Sequence, residues 1–181
     1  MFDRDYLLGG YFLAIPTPLA DWMAPPLSGP FLTLSSCLAT DVPAPEFEAW
    51  WADRDEAETV RRDQAPDARL LAVGFAASDV PDMLAQADPA EHGATWVHLR
   101  EHHPMPPGDV IGFEVVSAGG GGVDHSWHCY DYAQWLRAEL GKLGLLRSYD
   151  EARLLAEKIR APEPGYEIED YWLAAMLIAP A

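Results

Sequence analysis

Residues 110–129 read VIGFEVVSAGGGGVDHSWHC, and this stretch combines the clearest fold signal with the densest set of reactive side chains. Its first part, 110–117, is rich in β-branched and aromatic residues and predicts a strand. The glycines at 119–122 break that strand. Asp124 is a suitable N-cap, so we expect a helix from there to about residue 140, with Gly141 as its stop.

Comparable signals lie on both sides of this stretch. Short apolar runs between turn residues predict five further strands, at 6–15, 31–38, 69–77, 95–100 and 171–178. Apolar periodicity and capping residues predict three further helices, at 44–63, 78–86 and 148–160. The last of these begins with Ser148 and Glu151, which have the spacing of a capping box.

Strands and helices follow each other in irregular order, which is typical of an α+β fold. The length of 181 residues fits one domain. A chain of this size can bury about 70% of its extended surface, so its core needs no disulfide or metal. We therefore predict a single domain over residues 1–181, with a mostly antiparallel sheet of five or six strands and three or four helices packed largely on one face.

The composition combines a well-supplied core with a strong negative charge. The chain has 29 acidic and 12 basic side chains, a formal net charge of −17, and 49% hydrophobic residues. That hydrophobic content excludes a disordered acidic tail. Nucleic acid and anionic lipid are disfavoured as ligands because both are bound through clusters of Lys and Arg. We expect the negative field to speed encounter with a basic protein, although the same charge also serves solubility alone.

The cysteines and the N-terminal sequence indicate a cytoplasmic protein. Cys37 and Cys129 lie 92 positions apart without a CxxC spacing, which favours reduced thiols. The N-terminal sequence lacks the basic region of a secretory signal. The longest uncharged stretch, 22–40, contains three prolines and is not apolar enough to span a membrane.

The residues at 124–129 form the candidate chemical site. A helix N-terminus and a neighbouring imidazolium both favour a thiolate, so Cys129 is a candidate nucleophile. His125 and His128 lie one turn apart on the predicted helix, and with Asp124 or Cys129 they could hold zinc. Against this, Cys129 falls on the core stripe of that helix, and the usual paired spacing of zinc ligands is missing. A small hydrolase or metal-binding protein therefore stays as the alternative, and the main prediction has no catalytic residue, metal or cofactor.

The predicted helix at 44–63 provides the candidate interaction surface. Residues 41–60 contain seven acids and one Arg. On a helix, Trp50 faces the core while Trp51 lies about 100° away, at its edge. Partly exposed rings among acids match the anchors of protein interfaces, although such rings also cover core edges. We predict that five residues contact a partner: Glu46, Glu48, Trp51, Asp55 and Glu58.

These features together resemble the small acidic immunity proteins that neutralise partner toxins in bacteria. The resemblance is carried by the compact length, the acidic segment around Trp50 and Trp51, and a second acidic segment at 163–170. It is general and involves no motif. It implies a binding protein, not an enzyme, that covers the active site or an exosite of a basic toxin, for example a nuclease.

Overall fold

The structure is a computed structural model of the chain. It describes residues 4–23, 27–35, 38, 42–45, 50–86, 93–119, 122–129, 140–160 and 171–181. Within these residues the chain forms five β strands and four α helices. In chain order they are β1 (Tyr6–Ala14), α1 (Arg54–Gln64), β2 (Arg69–Ala76), α2 (Val80–Gln86), α3 (Ala94–Arg100), β3 (Gly108–Gly119), β4 (Gly122–Ser126), α4 (Tyr149–Arg160) and β5 (Tyr171–Pro180). Among the described helices, none has the length and apolar character needed to cross a membrane.

All five strands form one antiparallel sheet in the order β1-β2-β5-β3-β4. The central strand, β5, pairs with β2 on one side and with most of β3 on the other. Its residues 172–178 are all buried, as expected for a strand that is covered on both faces and reads as a continuous apolar run. The predicted α+β class with a mostly antiparallel sheet is confirmed.

The helices are divided between the two faces of the sheet. Even-numbered residues of β5 from Trp172 to Ile178 enter one apolar cluster, and odd-numbered residues from Leu173 to Leu177 enter a second. Buried residues of α1 and α4 belong to the first cluster, and those of α2 and α3 to the second. The expectation that the helices pack largely on one face is therefore corrected. A central strand that is apolar on both sides requires cover on both.

Two segments predicted as strands have other structures. Residues 95–100 belong to the helix α3, on which Trp96 and Leu99 are buried at i,i+3 spacing. A short apolar run does not by itself distinguish a strand from a buried helix. In the described part of 31–38 no residue belongs to a strand: Phe31 forms an isolated bridge with Thr17, and the amide of Leu38 donates to the carbonyl of Ser35 in a turn.

The helix predicted from residue 44 begins instead at Arg54. Asp53 is its N-cap, and the Asp53 carboxylate accepts a hydrogen bond of 2.9 Å from the amide of Glu56. Trp51 therefore precedes the helix, and its backbone exchanges two hydrogen bonds of 2.8 Å with Tyr11 of β1. Segment 50–51 is thus an extended contact with the sheet edge.

Tyr149, the first residue of α4, connects this helix to the turn before α2. Its hydroxyl donates a hydrogen bond of 2.6 Å to Asp79, and the Arg4 guanidinium lies 3.9 Å from the centre of its ring. Burial, followed by the hydrogen bond and charge of Asp79, raises the pKa of Tyr149 to about 12. Because an unfolded tyrosine has a pKa of about 10, the neutral phenol contributes stability below pH 10 that is lost as the pH rises towards 12.

We expect the substitution Asp79→Asn to lower the pKa of Tyr149, because it removes the negative charge that opposes phenolate formation. The measurement is the phenolate absorbance as a function of pH, with Tyr149→Phe identifying the step that belongs to this residue. Tyr171→Phe is the control, since Tyr171 also has a raised pKa and should leave the Tyr149 step in place. An unchanged titration in Asp79→Asn would contradict the assigned role of Asp79.

Candidate functional site

The candidate residues at 124–129 begin inside the second strand of a β hairpin and not at the start of an α helix. Asp124 and His125 belong to β4, and a short 3₁₀ helix, Trp127–Cys129, follows it. The predicted helix start at Asp124 is therefore wrong. Gly119 pairs with Gly122, so the chain turns back at the glycines and β4 pairs with β3. The remainder of that predicted helix, 130–139, lies outside the described residues.

Strand geometry separates the two histidines. His125 pairs with Ser117, which also pairs with Trp172 of the first apolar cluster. The next residue, Ser126, pairs with Val116 of the second cluster, and His128 contacts Ser126 there. The pair of ligands one helical turn apart is therefore not formed. Among the side chains that the structure describes, which do not include that of Asp124, no group of three or more His, Cys, Asp or Glu could hold a metal ion.

His128 lies instead in a buried polar network with Glu114, Thr33 and Ser126. Each of these residues exposes 2% of its surface or less. Nδ1 of His128 lies 2.8 Å from Oε1 of Glu114, and Nε2 lies 3.2 Å from the carbonyl oxygen of Gly144. Both ring nitrogens face hydrogen-bond acceptors. A protonated ring, the imidazolium, carries an N–H on each nitrogen and can donate to both acceptors. The geometry therefore fits a buried imidazolium–carboxylate pair.

Glu114 also holds segment 33–35 against the sheet. Its Oε1 accepts a hydrogen bond of 2.9 Å from Thr33 Oγ1, and its Oε2 accepts one of 2.8 Å from the amide of Leu34. Thr33 Oγ1 in turn accepts from the amide of Ser35 at 3.1 Å. These bonds satisfy buried backbone groups of a segment that has little sheet pairing.

Glu114, Thr33 and Ser126 were not among the site residues predicted from the sequence. The available signal was Glu114 itself, a single acid in the apolar strand VIGFEVV. A carboxylate in a buried strand requires partners, because a lone buried charge is costly. The sequence gives no indication that Thr33 and the amide of Leu34, about 80 positions away, supply them.

The thiol of Cys129 contacts the hydroxyl of Ser35. Its Sγ lies 2.8 Å from Ser35 Oγ and 3.5 Å from the amide nitrogen of Ser126. The ring nitrogens of His128 contact Glu114, Ser126 and Gly144. His128 is therefore not placed as a general base for the thiol, and its fully buried ring connects parts of the fold.

Of the five residues predicted to contact a partner, the structure describes three. Glu46 and Glu48 lie outside the described residues. Asp55 is exposed in the first turn of α1. Glu58 forms a bidentate ion pair of 2.7 and 2.8 Å with Arg61, and the hydrogen bond from Arg61 is the main cause that lowers the pKa of Glu58. Trp51 is 8% exposed and belongs to the first apolar cluster, so its expected edge position is wrong. Its backbone pairing with Tyr11 places the ring in the core.

Among the Trp, Tyr and Phe residues that the structure describes, Trp22 is the exposed one. Its side chain is 52% exposed, in a turn where the amide of Met23 donates a hydrogen bond of 3.0 Å to the carbonyl of Ala20. Asp21, the preceding residue, is also exposed. The signal for this in the sequence was the position of Trp22 in a proline-rich connection, outside any helical or strand pattern.

The described surface has more carboxylates than cations. Twelve Asp or Glu residues are exposed there, against seven Lys or Arg residues. Twelve of the 29 acids but only one of the 12 basic residues lie outside the described ranges, so the complete chain has a still larger surplus.

No protein family, curated protein or solved structure matches this chain. The function is therefore inferred from the residues and their geometry.

We expect Glu114→Gln to lower the free energy of unfolding by at least about 3 kcal/mol, because it leaves His128 buried without its carboxylate partner. The measurement is urea denaturation followed by tryptophan fluorescence. Glu157→Gln is the matched control, since Glu157 pairs with Arg153 at the surface of α4 and should cost less than about 1 kcal/mol. An equal loss of unfolding free energy in the two variants would show that the buried pair contributes no more to stability than the surface pair.

Proposed function

We propose that this chain is a cytoplasmic binding protein for a basic protein partner. In line with its sequence resemblance, we propose an immunity protein that inhibits a bacterial toxin by covering its active site or an exosite. The observation that carries the proposal is an exposed tryptophan, Trp22, beside an exposed Asp21 on a surface with more carboxylates than cations.

The charge supports fast association with a cationic surface. Carboxylates attract a basic partner over roughly a Debye length, about 8 Å at physiological salt, and so raise the rate of encounter. On α1, Asp55 and Glu56 are exposed in the first turn, whereas the charge of Glu58 is compensated by Arg61. Asp55 and Glu56 therefore replace Glu58 as the contributors that we expect from this helix.

A binding surface also needs a side chain that the partner can bury, and Trp22 provides one. Tryptophan is enriched among the residues that dominate binding energy, since covering a large ring removes much apolar surface from water. The closed turn 20–23 presents the ring on a defined backbone. In this role Trp22 replaces Trp51, which already packs in the core.

The alternative of a small hydrolase or metal-binding protein has less support. It requires His125, His128 and Cys129 to converge beside a cleft. His128 is 1% exposed and both of its ring nitrogens have partners, while His125 belongs to the opposite face of the sheet. Binding through the surface needs no rearrangement of these residues.

We expect the chain, used as bait in a lysate of its native host, to capture a basic protein whose association slows as salt is raised. With that protein purified, Trp22→Ala should increase the dissociation rate at least tenfold, because the anchor is lost. Leu154→Ala is the matched control, since Leu154 is a large apolar side chain that is 58% exposed on α4.

The charge is tested in the same complex by the double substitution Asp55→Lys and Glu56→Lys, which should slow association and weaken its salt dependence. Glu157→Lys on α4 controls for a general change of charge. A captured partner that is neutral or acidic, or one whose association is insensitive to salt, would contradict the proposal.

A further inference from the structure

A pocket of about 360 Å³ lies between two segments that are not part of the proposed partner-binding surface. One wall is formed by residues 27–30, and the other by five residues of segment 140–147. Its volume is at the lower end of the range for small-molecule sites, which is about 300–1,000 Å³. The pocket is therefore large enough for a small organic ligand.

The 140–147 wall is fixed by a strained turn. Leu143 and Gly144 both have left-handed backbone conformations, with φ of 60° and 69°. This conformation is unusual for a bulky residue such as Leu143, and strain of this kind persists only where the surroundings enforce it. At Gly144 an added Cβ would lie 2.7 Å from Cβ of Phe31, so glycine is required there.

Two hydrogen bonds from buried groups enforce the turn. The carbonyl of Leu143 accepts a hydrogen bond of 2.9 Å from the amide of Leu32, and the carbonyl of Gly144 accepts from His128 Nε2 at 3.2 Å. Through His128, the wall is connected to the buried carboxylate of Glu114. The pocket therefore has a preformed shape, which reduces the entropy lost on binding.

The lining combines three leucines with polar groups, and one of these groups is a cation. Leu27, Leu140 and Leu143 supply apolar surface, and Arg147 is the one charged side chain among the lining residues that the structure describes. Arg147 Nη2 donates to the carbonyl of Leu140 at 3.3 Å, so the guanidinium lies along the pocket rim. The nearby carboxylate of Glu151 accepts from the backbone amide of Arg147 at 2.9 Å, as part of the start of α4.

We propose that this pocket binds a small ligand with one carboxylate or phosphate group on a short apolar body. The guanidinium of Arg147 takes the anion, because its planar donor group matches both oxyanions. The leucines of the two walls take the apolar body. The proposal concerns a site that is independent of the protein partner, and it is tested without that partner.

The test uses four probes on the isotope-labelled full chain, namely hexanoate, hexyl phosphate, hexan-1-ol and acetate. Amide shifts of Gly29, Gly141 and Gly144 measure binding by NMR. We expect saturable shifts with at least one of the hexyl anions, and at least tenfold weaker binding of hexan-1-ol, which lacks the charge, and of acetate, which lacks the chain. Comparison of hexanoate with hexyl phosphate identifies the preferred anion.

Arg147→Gln should weaken binding of the preferred hexyl anion at least tenfold, whereas Arg153→Gln, on the surface of α4, should leave it unchanged. Two results would overturn the proposal. One is the absence of saturable shifts at these glycines with either hexyl anion. The other is equal affinity of the wild type and Arg147→Gln for the hexyl anion that binds.

Discussion

The buried pair of Glu114 and His128 is the interaction on which the arrangement of the loops depends. Both side chains are removed from water, so each needs partners to offset the cost of desolvation. Glu114 provides acceptors for Thr33 and Leu34, and His128 holds the carbonyl of Gly144. Buried ion pairs often contribute little net stability compared with apolar residues of the same size. The effect of this pair is therefore to select one arrangement of two loops, those that carry the walls of the pocket.

The anionic surface repels an anionic ligand, whereas the guanidinium in the pocket attracts it. A net charge of −17 opposes the approach of any anion, so a guanidinium at the pocket rim does not suffice to retain a simple inorganic ion. Contact with the leucines must supply the remainder of the binding free energy, at about 25 cal/mol for each Å² of apolar surface buried. This is the physical reason why the proposed ligand has an apolar body. A basic protein partner of the kind proposed would, in contrast, be attracted by the surface carboxylates and would need no pocket.

The elements predicted correctly from the sequence are those with local signals. The helix α4 is marked by Ser148 and Glu151, and β5 by a long apolar run. At 95–100 and at Asp124, by contrast, the local pattern fits two structures, and tertiary packing or the glycine hairpin decides between them. The network around Glu114 could not be predicted, because its partners come from separate segments at 33–34, 126–128 and 144. A lone acid in an apolar strand indicates that a partner exists but does not identify it.

Trp22 and Trp51 show why composition alone did not locate the candidate interface. Trp51 stands among acids in the sequence, as an interface anchor would, yet its backbone pairs with Tyr11 and its ring is buried. Trp22 stands in a proline-rich connection, and its turn leaves half of the ring in water. Exposure therefore depends on what the backbone pairs with, which is a property of the fold and not of the neighbouring residues. With the exposed ring identified, the contributions of charge and ring to the proposed binding can be separated. Dispersed carboxylates act mainly on the rate of association, and a single ring that a partner buries acts mainly on the rate of dissociation.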